Sequence, residues 1–302
     1  MEPNPRVPDF LRAVTWDECA VVGGAAALLL TLPKWGGQDV WAWMTPPFNA
    51  RYVGVVYIGA LVPLVVFAVT ARWSPGRIVL WMIFVFTTVI MIVMLAYADR
   101  FEWARLATWV FWALYLFLPV NSVVFLWRLR DLRVPEPLVR MPAAMTALAL
   151  VLGGYGIALL AIPEDATRFW PWPVDAFHAR IYAATYLTPA VGALVIRRGG
   201  TPDEIRTLAA TLIVFGIAAV LALLATDPIV PAAAKVDYDG GTWAFLAINV
   251  APVLAGAALL GAVRTRDPVA SRRDLGCISA VCGRSAGLTN GRPILPCASS
   301  DR

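Results

Sequence analysis

Eight apolar runs, each bracketed by charged residues, organise the chain. Tyr52 to Ala71 lies between Arg51 and Arg72, Ile78 to Ala98 between Arg77 and Asp99, and Leu106 to Trp127 between Arg105 and Arg128. Met141 to Pro163 follows Arg140 and stops at Glu164, and Ile181 to Ile196 lies between Arg180 and Arg197. Thr207 to Thr226 ends at Asp227, and Thr242 to Val263 precedes Arg264. The first run, Cys19 to Pro33, is short, so its helix is expected to start near Ala13, leaving Asp17 and Glu18 at the membrane surface. Runs of this length match the ~20 apolar residues that carry a helix across a bilayer. The pattern predicts an all-α integral membrane protein with eight transmembrane helices. The first run reads as a retained helix, because Glu2, Asp9, Asp17 and Glu18 precede it and no A-x-A site follows, whereas a signal peptide has a basic start.

Composition sharpens this. Of 302 residues, 60% are hydrophobic and 15% charged, with mean hydropathy +0.70. Soluble domains are about 45–50% apolar and about 25% charged, so a soluble globular enzyme is excluded. The net charge of +5 does not imply a nucleic-acid partner, since the basic residues flank the apolar runs. All but Lys34 and Lys235 are arginines, a skew that reflects codon usage in a GC-rich genome. One set of loops and tails carries 18 Lys and Arg against seven on the other, or 11 against seven without the C-terminal tail. The positive-inside bias then puts both termini in the cytoplasm, as expected of a cytoplasmic-membrane protein.

The outer loops show an internal repeat. At an offset of 129, Trp41/Trp170, Trp43/Trp172, Phe48/Phe177, Ala50/Ala179, Arg51/Arg180 and Tyr57/Tyr186 coincide, and Pro33 meets Pro163 within one residue. The expected organisation is a cytoplasmic segment (1–12), a four-helix unit (13–127), a charged linker (128–140), a second parallel unit (141–263) and a disordered tail (264–302). Two such units with the same orientation resemble the parallel repeats of some transporters. Three of the four cysteines, Cys277, Cys282 and Cys297, crowd into the tail, which also fits a C-terminus outside the native reading frame.

Thr45-Pro46 and Asp175 read as helix caps, placing Arg51 and Arg180 about one and a half turns into their spans. Only 16 residues separate Arg180 from Arg197, about 24 Å of helix against a core of roughly 30 Å. Arg180 is therefore expected to snorkel or to face a polar cavity. Trp41, Trp43, Trp170 and Trp172, with both arginines and His178, form either an interfacial aromatic belt or a pair of cationic pockets for an anionic or amphipathic headgroup. His178 replaces Asn49 in the repeat, which suggests a tolerated polar slot. Asn121 and Asn249, roughly equivalent, are intramembrane polar residues suited to an interhelical hydrogen bond or a pore lining. Asp99 and Asp227 end the third span of each unit, within reach of Arg100 or a motif arginine. Gly23-Gly24 and Gly153-Gly154 read as close helix packing. With a single histidine, no haem or metal site is expected, and no cofactor or catalytic motif is visible.

On Phe169-Trp170-Pro171-Trp172 and Ala179-Arg180, the chain resembles a group of bacterial multi-pass membrane proteins of no assigned activity, over roughly residues 15–263. The resemblance implies a membrane protein and supplies no substrate or catalytic residue. Three functions remain: a carrier or channel with a cavity near Asn121 and Asn249, a protein binding an anionic lipid or amphipathic solute, and a non-catalytic accessory subunit of a membrane complex.

Overall fold

In the computed structural model, which describes residues 4–135 and 137–266, every apolar run is a helix. The helices are α1 (Asp9–Thr31), α2 (Pro47–Thr70), α3 (Trp73–Ala96), α4 (Leu106–Arg128), α5 (Pro142–Ala161), α6 (Ala176–Ile196), α7 (Pro202–Thr226) and α8 (Gly240–Arg266). All eight are long and apolar enough to cross a membrane, since twenty residues at 1.5 Å each cover a core of about 30 Å. No strand occurs among the described residues, only the isolated bridges Arg6–Arg72 and Val139–Gly200. This is the architecture of a multi-pass membrane protein. Of the tail expected to be disordered, residues 267–302 lie outside the described residues.

Local chemistry sets the helix ends. The Asp175 carboxylate accepts the His178 backbone N–H at 2.8 Å, capping α6 as expected. Thr201 and Glu204 form a reciprocal capping box on α7. Thr45 does not cap α2: Pro46 is the N-cap and Pro47 the first helical residue, while the Thr45 hydroxyl turns to His178. Ala71, in the left-handed region at φ 49°, closes the tight turn between α2 and α3. Pro63, Pro119, Pro189 and Pro252 lie inside α2, α4, α6 and α8, as transmembrane helices tolerate.

Two expectations are corrected. Helix α1 begins at Asp9 because its first turns are packed: Leu11 and Thr15 are buried, and Arg12 Nε donates to the Ala68 carbonyl at 3.2 Å. Glu18 is consequently ten residues into a span and buried, 5% exposed. The glycine pairs do not mediate close packing. Nothing lies within 4 Å of a side chain placed at Gly24 or Gly154, and Gly23 and Gly153 have only ordinary contacts. Close approach occurs instead at Gly54 against Leu30, Gly156 against Leu187, and Gly256 against the Ala209 carbonyl.

The helices pack into one unit ending at Val263. Helix α1 lies along α2 and α5 along α6, while α3 packs chiefly on α6 and α7 on α2. Helix α4 covers α3, and α8 meets α7 where Gly216 and Gly256 admit it. The most enclosed helix is α6, whereas α1, α5 and α8 are the least buried. A core of α2, α3, α6 and α7 thus carries four outer helices. At one end, Arg77 and the fully buried Glu204 pair at 2.8 and 3.1 Å across α3 and α7. Ser74 and Thr201 hydroxyls meet beside them at 2.5 Å.

Candidate functional site

At the other end, the two W-x-W loops are interlocked. Trp43 Nε1 donates to His178 Nε2 at 3.1 Å, and Trp172 Nε1 donates to Asn49 Oδ1 at 2.9 Å. Each loop therefore hands an indole N–H to the polar residue 129 positions away from its own. This explains why Asn49 and His178 exchange: the slot needs an acceptor. Phe48 stacks on Trp172 at 5.2 Å and 8°, and Phe177 meets Trp43 edge-on at 5.2 Å. Trp41, Trp43, Trp170 and Trp172 are all buried, between 2% and 7% exposed. They are core, and not a belt facing lipid.

The arginines are committed as well. Arg51 Nε donates to the Leu30 carbonyl and Arg180 Nε to the Leu160 carbonyl, both at 3.0 Å. These are orphan carbonyls near the ends of α1 and α5. Arg51 also reaches Thr226 Oγ1 at 3.2 Å, and Arg180 bonds the Tyr97 hydroxyl. Arg180 therefore has protein partners along its length and needs neither snorkelling nor a cavity. Asp99 is exposed, and Arg100 turns instead to Asp175 at 3.6 Å. Asp227 accepts the Val236 N–H at 2.8 Å, which explains its place without an arginine. Asn121 and Asn249 are both buried. Asn249 Nδ2 returns to its own helix at Phe245 O, and its Oδ1 is unpaired. Phe111 packs on Trp41 and Trp43 as Phe245 does on Trp170 and Trp172. That register matches Asn249 to Tyr115 and not to Asn121.

The interlock also brings together a hydroxyl, an imidazole and a carboxylate. Thr45 Oγ1 lies 2.7 Å from His178 Nε2, and His178 Nδ1 lies 2.8 Å from Asp175 Oδ1. The connectivity is that of a nucleophilic triad, which the sequence did not reveal. An indole can only donate, so Nε2 is an acceptor for Trp43 and the ring proton belongs on Nδ1, toward Asp175. Thr45 is 1% exposed and lines none of the cavities described below. These contacts tie the first W-x-W loop to the start of α6. Burial raises the Asp175 pKa, but hydrogen bonds from the His178 ring and backbone, with nearby Arg100, outweigh it and hold the carboxyl at about 2.

A cavity of about 520 Å³ lies between α1 and α4. Val21, Ala25 and Leu28 of α1 face Val110, Phe111 and Leu114 of α4 across it. Glu18 on α1 and Leu28, ten residues on, mark its two ends, about 15 Å apart along the helix. Its polar lining is sparse: Glu18, Tyr57 and Tyr115 deep inside, and Trp41, Asp39 and Arg105 at the loop end. Tyr57 and Tyr115 share a hydrogen bond of 3.2 Å. Trp41 Nε1 is buried without any partner. Arg105 donates to the Trp41 and Gln38 carbonyls at 2.7 and 2.6 Å. Behind Glu18, cavities of about 50 and 30 Å³ run into the core past Thr188 and Thr185, whose hydroxyls are unpaired. Neither Asn121 nor Asn249 lines any of the three. Among the described residues no three His, Cys, Asp or Glu side chains converge.

The sequence pattern singles out Trp41 but not the groove beside it. Glu18 was misplaced by the late helix start. The difference between Ala25 and Tyr155, which the Pro33/Pro163 spacing of 130 aligns, was the available signal. Comparison of the chain with protein-family models, curated proteins and solved structures gave no match.

Proposed function

We propose that the chain is a cytoplasmic-membrane protein built from two parallel four-helix units, with both termini in the cytoplasm, that binds a membrane-soluble amphipathic molecule between α1 and α4. The duplication is supported by the reciprocal bonds Trp43–His178 and Trp172–Asn49 and by the paired Arg51–Leu30 and Arg180–Leu160 contacts. The binding reading is carried by one observation. A 520 Å³ apolar groove has a buried carboxyl residue, Glu18, in its lining and a buried indole N–H without a protein partner, Trp41 Nε1. Ligand pockets typically run to about 300–1,000 Å³, with few polar groups that fix orientation. An ionisable residue inside a span is costly and marks function by default. Binding is favoured over transport because the inner cavities of about 50 and 30 Å³ suit single waters and no larger solute.

Native mass spectrometry of protein extracted gently from its own membrane tests this. The expected result is a small-molecule adduct on the wild type that is lost in Val110→Trp, which fills the groove. A bare protein, or an adduct that survives the substitution, would overturn the proposal. A stoichiometric protein partner in place of the adduct would instead favour the accessory-subunit reading.

A further inference from the structure

The second half of the chain shows what the groove lacks. The matching Arg51–Leu30 and Arg180–Leu160 bonds align α1 with α5 at a spacing of 130, which sets Ala25 opposite Tyr155. In the second half, the Tyr155 hydroxyl accepts the Trp170 indole N–H at 2.8 Å. Its ring meets Tyr186 edge-on, with centroids 4.8 Å apart at 85°. In the first half, the counterparts Trp41, Tyr57 and Ala25 all line the groove, and Trp41 Nε1 has no acceptor. Ala25 leaves the place of the Tyr155 ring unfilled, and the indole corresponding to the one that donates to the Tyr155 hydroxyl has no partner.

We infer that the groove takes a membrane-soluble molecule carrying an oxygen-substituted six-membered ring, of the phenol or quinone class. Its oxygen accepts from Trp41 Nε1 and its ring packs on Tyr57. The inference rests on the groove-binding reading above and names its ligand class. An alkyl chain would leave the indole N–H unpaired, which buried polar groups avoid. An anion is disfavoured, because Asp39 and Glu18 lie in the lining and Arg105 is engaged by two backbone carbonyls. At about 520 Å³ the groove exceeds one ring, and its walls of Val21, Leu28, Val110 and Leu114 accommodate an apolar tail.

The test uses the full chain in detergent, with equilibrium binding of 4-nonylphenol and of nonylbenzene, which differ only in the hydroxyl. The wild type should bind nonylphenol more tightly. Trp41→Phe should weaken nonylphenol about 5-fold, the value of one net hydrogen bond, while leaving nonylbenzene unchanged. Ala25→Tyr should abolish binding of both without lowering thermal stability, since the second half already seats a tyrosine there. If nonylphenol and nonylbenzene bind wild type equally, the groove reading stands and the ring-oxygen inference falls. It falls equally if Trp41→Phe binds nonylphenol as the wild type does. If neither probe binds and the native protein carries no adduct, both readings fall.

Discussion

Position 178 illustrates how one atom's role governs what a residue position accepts. The Trp43 indole needs an acceptor at 3.1 Å, and Asn49 supplies one to Trp172 in the mirrored place. His178→Asn should therefore cost less than about 1 kcal/mol. His178→Leu should cost about 1–3 kcal/mol by leaving a buried N–H unsatisfied. Thermal unfolding in detergent compares them, and equal stability of the two variants would refute the acceptor argument. Asp175 adds a pH dependence. Its carboxyl is held at about 2 against an ordinary 3.8, so its stabilisation is full above about pH 4 and fades as pH falls toward 2. The side chain is 43% exposed, and solvent screening leaves about 1 kcal/mol. Asp175→Asn, which can still cap, should flatten the stability profile between pH 4 and 2. An unchanged profile would show that the charge contributes nothing.

Helix α7 is fastened at its first turn by a residue with two tasks. Glu204 closes the capping box with Thr201 and pairs with Arg77 from a fully buried position. Gln can replace Glu in a capping box, so Glu204→Gln removes the ion pair alone, while Glu204→Ala removes both. Breaking a buried pair costs about 3–5 kcal/mol, and loss of a cap about 1 kcal/mol more. The expected order of unfolding temperatures is wild type, Gln, then Ala, and a reversed order of the two variants would contradict it. The existence of all eight helices was legible because charges bracket long apolar runs. Their starts were less so. Helix α1 gained four residues through tertiary burial of Leu11, and Pro46 in place of Thr45 caps α2 because the Thr45 hydroxyl has a distant partner in His178. Such partners lie more than a hundred residues away, and apolar patterning carries no trace of them. The groove was hidden for the same reason: it is a side chain missing from one of two related places.

Across the whole molecule, the halves exchange partners: α3 packs chiefly on α6 and α7 on α2. Residues 1–135 expressed alone should therefore be degraded or aggregate, and co-expression with 137–302 should restore a folded complex on size-exclusion chromatography. Recovery of a stable, monodisperse 1–135 fragment would show that each half is self-sufficient. The proposed orientation is testable on exposed sites at opposite ends, Met44 and Arg198. With the four native cysteines replaced by Ser, an impermeant thiol reagent applied outside should label Met44→Cys and not Arg198→Cys, and the converse would invert the topology. The exchanged packing also has a cost in time. At synthesis rates of about 5–20 residues per second, the 129 residues between matching positions take about 6 to 26 s to follow. Throughout that interval α3 stands in the bilayer with its principal contact surface, the one for α6, bare, α2 lacks α7, and the Trp43 indole donor is unmet. A ribosome that stalls in the second half thus leaves a membrane-inserted intermediate that quality-control proteases can recognise, and the chain's yield depends on how quickly its own second half arrives.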